Sequence, residues 1–196
     1  MQFDKDHRGF SFSKEGPLDM RMNPETTVTA KEIVNRASEK ELGTIFREYG
    51  EERHWRKAAH AIVEERRRKK FETTTELAAF LVSIFGFRGK GKLHPATLIF
   101  QALRIAVNRE LEVIEKALHK VLQLLAPGGR VGVLSFHSLE DRIVKNVFKA
   151  AAERKKGEPS PALLKLLTKK PVAPSSYEIR MNPRSRSAKL RFAERI

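Results

Sequence analysis

An α/β fold is predicted by three features in the second half of this 196-residue chain. A stretch with helical apolar spacing ends in the turn APGG. The run RVGVLSF at 130–136 follows, and HSLEDRIVKNVF then returns to helical spacing. Val131, Val133 and Leu134, with Gly132 between them, approach the continuous apolar pattern of a strand buried on both faces of a helix-flanked sheet. Helix, strand, tight turn and helix in that order is the grammar of a doubly wound α/β fold.

The elements before this strand are helical. Residues 1–28 are turn-rich, with Gly9, Gly16, Pro17 and Pro24. Residues 29–87 read as short helices forming a small bundle. Ser38 and Glu41 make a capping box, and Leu42, Ile45, Phe46 and Tyr49 then repeat at helical spacing before Gly50. The next helix carries Trp55, Ala58, Ala59, Ile62 and Val63 on one face. It ends in Arg66, Arg67, Arg68, Lys69 and Lys70, which complement the negative end of its dipole. A second box, Thr73 to Glu76, starts a helix with Leu77, Leu81 and Ile84 inward. After GFRGKGK, a basic linker, one long helix is predicted with Pro95 in its first turn and a stripe from Leu98 through Ile105 to Leu125.

Beyond the strand, Ser138 is the expected N-cap of the following helix and Asp141 its third helical residue. A Pro- and Lys-rich loop is expected over 155–175, and SAKLRF as the last strand. A strand buried on both faces needs partners on both edges. The chain supplies at most two or three strands, so most of a sheet is expected to lie outside it.

Composition narrows the function. Thirty-nine Lys and Arg against 24 Asp and Glu give a formal charge of +15, which favours a polyanionic partner, most simply nucleic acid. Cysteine is absent, so disulfides, thiolate catalysis and Cys-based zinc sites are excluded. No apolar run reaches the roughly 20 residues of a membrane span, and no signal peptide is apparent, so a cytoplasmic protein is expected. There is also no G-x-G-x-x-G turn between a strand and a helix.

Individual residues carry two readings. His137, at the end of the apolar strand, either orients a ligand or hydrogen-bonds the following turn. His54 and His60, six apart on a helix, do not share a face and read as solvated or capping groups rather than metal ligands. Trp55 reads as core before it reads as a stacking platform. Asn182-Pro183 is followed by Arg184 instead of a second proline and an aromatic, so it is a poor match to an amine-accepting N-P-P-Y motif. Arg184, Arg186, Lys189 and Arg191 form a cationic cluster with no acids between them, suited to phosphate contact.

Six ordered segments then carry a resemblance that spans the whole chain: QFDKDHRGFSF, GPLDMRMNP, YGEER, HPATLIFQALRIAVNREL, APGGRVGVLSFHSLEDRIVK and NPRSRSAKLRF. In order and spacing they resemble the MraW/RsmH family, S-adenosylmethionine-dependent methyltransferases acting on a cytosine exocyclic amine of small-subunit ribosomal RNA. The resemblance implies an α/β fold: the C-terminal part of a Rossmann-like methyltransferase sheet with an inserted small helical domain. On that pattern, residues 1–24 are a residual loop of the methyltransferase domain, 25–90 the inserted helical domain and 91–196 the C-terminal part of the methyltransferase domain.

Site residues follow from the same resemblance. The family segment D-L-G-V-S-S-x-Q-L-D leads into R-G-F-S-F, and Gln2, Phe3 and Asp4 match its Q-L-D. The chain is therefore expected to begin in mid-motif, with most of the S-adenosylmethionine site and the catalytic residues upstream. Gln2 is carried over as cofactor-binding. Arg66, Arg67, Arg68, Lys69, Lys70, Arg184, Arg186, Lys189 and Arg191 are the expected RNA-binding residues. The implied partner is small-subunit rRNA or the small ribosomal subunit, with no metal and no membrane. The competing function is a non-catalytic basic module that docks on rRNA without modifying it.

Overall fold

The computed structural model describes residues 8–86, 93–153 and 162–196. The chain divides into two compact units, one ending at Glu110 and one beginning at Leu111.

The first unit contains α1 (Ala30–Arg36), α2 (Glu39–Glu48), α3 (Trp55–Arg68), α4 (Thr74–Phe85) and α5 (Thr97–Asn108). Capping boxes start three of them, Thr29 with Glu32, Ser38 with Glu41 and Thr73 with Glu76. Each box satisfies N–H groups that a helix start leaves without partners. Val34, Leu42, Phe46, Ile62, Leu77, Leu81, Ile99 and Leu103 form the buried core. The opening loop belongs to the same core through Phe10, Leu18 and Met20.

Backbone hydrogen bonds stitch that loop down. Leu18 N donates to Glu72 O at 3.1 Å, Thr74 N to Gly16 O at 2.9 Å, and Ala30 N to Asp19 O at 2.8 Å. Gly9 has φ +68°, and a Cβ there would lie 2.0 Å from Pro17 O. Only glycine fits. Arg21 holds the next turn, gripping both carboxylate oxygens of Asp19 at 2.8 Å and donating to Pro24 O and Thr26 O.

The single long helix expected after the linker is two helices. Arg109 takes the left-handed conformation, φ 50°, between α5 and α6 (Glu110–Leu124). The side chain of Asn108 is spent at that break: it donates to Met20 O and Arg104 O, both at 2.8 Å, and accepts from Met22 N at 2.7 Å. Pro95 lies before α5, whose N-cap is Ala96. The linker residues 87–92 lie outside the described residues.

The second unit adds β1 (Arg130–Ser135), α7 (Ser138–Ala152), β2 (Leu164–Leu166), α8 (Ser176–Met181), a 3₁₀ turn (Pro183–Ser187) and β3 (Lys189–Arg195). The strand order is β1-β3-β2, with β3 antiparallel to both neighbours. β1 and β2 therefore run parallel, connected by a crossover through α7, as an α/β fold requires. Leu118, Leu122, Val131, Val144, Val147, Phe148, Leu164 and Ala193 bury one face of the sheet under α6 and α7.

Burial of β1 on both faces is not what forms. Val131 and Ser135 are buried, whereas Leu134 is 54% exposed, so the strand alternates as a one-sided strand does. On the open face a Cβ at Gly132 would come within 2.5 Å of the Phe192 ring, and the glycine lets that ring lie across the strand. The N-cap of α7 is His137 rather than Ser138, and Glu140, not Asp141, is its third residue. Among the described residues, no helix is long and apolar enough to cross a membrane.

Candidate nucleic-acid interface

The cationic run at the end of α3 is less uniform than its sequence. Arg66 is half-buried and donates to Val34 O at 2.8 Å, tying α3 to the end of α1. Burial, more than its neighbour Arg67, lowers its pKa. Arg67 meets Glu64 at 2.7 Å and Lys69 meets Glu76 at 2.7 Å. Arg68 and Lys70 are exposed. Lys70 also borders a groove with Lys31, Glu32, Asn35 and Arg36. The run is thus part structural brace and part open cationic surface.

The C-terminal cluster divides further. Arg184 and Arg186 sit exposed on the 3₁₀ turn. Arg191 is 7% exposed, and its guanidinium donates to both oxygens of Asp141, at 2.7 and 3.0 Å. Lys189 Nζ lies 3.7 Å from the same carboxylate. The expected group of four cations without acids is therefore incorrect for this pair. Asp141 comes from α7, fifty positions away, and strand alternation turns Lys189 and Arg191 together toward it. The Arg191 guanidinium, more than Lys189, holds the Asp141 carboxyl below its usual range. These two cations tie β3 to α7.

The histidines act as local structure. His137 Nδ1 accepts from Glu140 N at 3.3 Å while Glu140 reaches back to the His137 N–H, a capping box at the end of β1. Of the two readings, bonding the following turn is the one this geometry carries. His60 lies 3.2 Å from Glu39 on the surface. His54 precedes α3 without a side-chain cap. Trp55 is half-buried against the first core, with the Arg56 guanidinium 4.2 Å from its ring centroid. Gln2 lies outside the described residues.

β2 falls within the loop expected over 155–175. α8 lies between that loop and the expected strand SAKLRF, in a stretch with no expected element, and has no buried residue. Its start is a box of the same kind as Ser38 and Thr73 display: Ser175 Oγ accepts from Glu178 N at 3.2 Å, and Glu178 accepts from Ser175 N at 2.7 Å. The S-x-x-E spacing was the available signal. The helix brings Tyr177 and Met181 into solvent beside Arg180, Arg184 and Arg186.

Comparison with known proteins adds three close relatives, each named ribosomal RNA small subunit methyltransferase H. The protein of Protochlamydia amoebophila is 54% identical over all of this chain and 65% of its own length. That of Persephonella marina is 50% identical over 98% of this chain and 64% of its own. That of Coprothermobacter proteolyticus is 53% identical over 94% and 58%. The chain thus spans less than two thirds of the length of the curated relatives it matches. The family model describing the MraW methylase family matches residues 1–196, and the chain belongs to that family.

Proposed function

We propose that this chain is part of an S-adenosylmethionine-dependent methyltransferase that modifies the exocyclic N4 of a cytidine in small-subunit ribosomal RNA. The observation that carries the reading is the family match along the whole chain, supported by relatives named for small-subunit rRNA methylation. The exposed cations Arg68, Lys70, Arg184 and Arg186 suit an RNA substrate, because phosphate neutralisation supplies most sequence-independent affinity. A cytoplasmic setting accords with such a substrate. Residues 25–90 are read as a helical insertion, and 91–196 as the closing part of the methyltransferase domain.

The turn from β1 into α7 is Phe136–His137 and is not a Gly-rich strand-to-helix turn of the kind that cradles a nucleotide. Gln2 is the one residue assigned to the cofactor. The roles given to the described residues are accordingly docking and positioning. A cytosine amine is a weak nucleophile, its lone pair delocalised into the ring, so placement of the base in line with the methyl carbon carries much of the barrier reduction. Arg184 and Arg186 would serve that placement by fixing the RNA backbone.

The test is a chimera in which this chain replaces the matching 65% of the Protochlamydia relative. Incubated with methyl-labelled S-adenosylmethionine and unmodified small-subunit rRNA, it is expected to yield labelled N4-methylcytidine. Label on another base or position would refute the N4 assignment. Salt-sensitive rRNA binding without any transfer would favour the docking module.

A further inference from the structure

The loop bearing α8 and the 3₁₀ turn is an ordered surface with nothing to bury. Of residues 168–188, none is buried. Two features hold the loop at its base and along its length. Val172 and Leu190 exchange backbone hydrogen bonds of 2.8 and 2.9 Å, pinning the ends of the loop together. The Ser175–Glu178 box starts α8, and Asn182 then starts the 3₁₀ turn by accepting from Arg184 N at 3.2 Å. Compact loops with joined ends are frequent sites of function, and order set before binding lowers the cost of binding.

What this loop displays is selective. Between 168 and 188 there are five Lys or Arg and one Glu, and that Glu is held at the start of α8. Tyr177 is 64% exposed and Met181 70%. Tyr177, Arg180 and Met181 stand at i, i+3 and i+4, so they share one face of α8. An exposed aromatic ring, a thioether and guanidinium groups match the faces of bases and the phosphates between them. In a duplex those base faces are stacked and closed off.

We infer that the α8 loop is a docking site for unpaired RNA, with Tyr177 stacking on a base and Arg180, Arg184 and Arg186 contacting its flanking phosphates. The inference rests on the rRNA reading above and goes further by naming a base-stacking residue and a single-stranded substrate.

The experiment measures fluorescence anisotropy of the 196-residue chain with a labelled single-stranded oligoribonucleotide of small-subunit rRNA sequence and with its duplex, across a salt series. Tyr177→Ala is expected to weaken single-strand binding roughly 5- to 150-fold with the salt slope unchanged. Its effect on duplex binding is expected to be negligible, and Tyr177→Phe is expected to bind as wild type. The double variant Arg184→Ala, Arg186→Ala is expected to flatten the slope by about 1.4. Circular dichroism melts of the variants are expected to overlay the wild type, because no loop residue is buried. If wild-type affinity for the single strand survives both variants, the loop assignment is overturned while the rRNA reading stands. If the wild-type chain binds neither RNA, the loop assignment is overturned, and the rRNA reading is decided by the chimera.

Discussion

Arg191 on β3 and Asp141 on α7 face each other with both guanidinium–carboxylate hydrogen bonds formed, at 2.7 and 3.0 Å, in a site where each residue is less than a tenth exposed. The pair locks the helix over the sheet. Removing one partner of such a pair leaves a buried charge without compensation, at a cost of roughly 3–5 kcal/mol. Asp141→Ala is expected to destabilise the chain by about that much in urea unfolding. Arg191→Met is expected to cost less, since Lys189 remains 3.7 Å from the carboxylate. The double variant Asp141→Leu, Arg191→Met is expected to recover most of the loss, and a strictly additive double loss would show the two side chains act independently.

The same pair sets a pH dependence. The Asp141 carboxyl is held below its ordinary value by Arg191. Its contribution is therefore complete above the ordinary Asp range of about 4 and is lost as pH falls through the lower folded value. Melting temperatures measured down the pH scale are expected to fall below about pH 4, less steeply in Asp141→Asn than in wild type. Parallel curves for the two would remove Asp141 from the acid response.

Glu76 gives a second case, half-buried at the surface. Lys69 first, then the N–H groups of Glu72 and Thr73, lower its carboxyl to about 2. The capping box of α4 is thus intact above pH 4.5 and weakens as pH drops toward 2. Thr73→Ala removes the reciprocal half of that box and is expected to cost about 1 kcal/mol at neutral pH. Unchanged stability would mean the opening-loop contact Thr74 N to Gly16 O suffices to start the helix.

Asn108 joins segments 86 to 88 positions apart in the chain, reaching both Met20 O and Met22 N. Asn108→Ala leaves those partly buried backbone groups without their partner, and a loss of roughly 2–3 kcal/mol is expected. Hydrogen exchange should show the loop around Met20 opening first. Protection unchanged at Met22 would count against this role.

The sequence exposed local grammar and concealed distant partners. Capping boxes at Ser38 and Thr73 formed as the four-residue spacing required, because both partners sit in one turn. The α/β class was legible from the apolar run at 130–136 flanked by helical spacing. Arg191 was read as an open cation because Asp141 is fifty residues away, and nothing in SAKLRF marks the acid on α7. The break at Arg109 was hidden for the same reason: apolar spacing runs on through it, and what fixes it is Asn108 committed to the opening loop. Tyr177 and Met181 carry no sequence signal, because a capped, coreless helix leaves no apolar pattern.

The most direct test of RNA docking by this chain is ultraviolet crosslinking to small-subunit rRNA, followed by mass spectrometry of the crosslinked peptides. The expected adducts fall in the peptides carrying Tyr177 and Arg184–Arg186, with a second group at Arg68–Lys70. Tyr177→Ala is expected to reduce the first group and leave the second unchanged. Adducts confined to other peptides, or none at all under conditions where the rRNA is bound, would contradict the assignment of these surfaces.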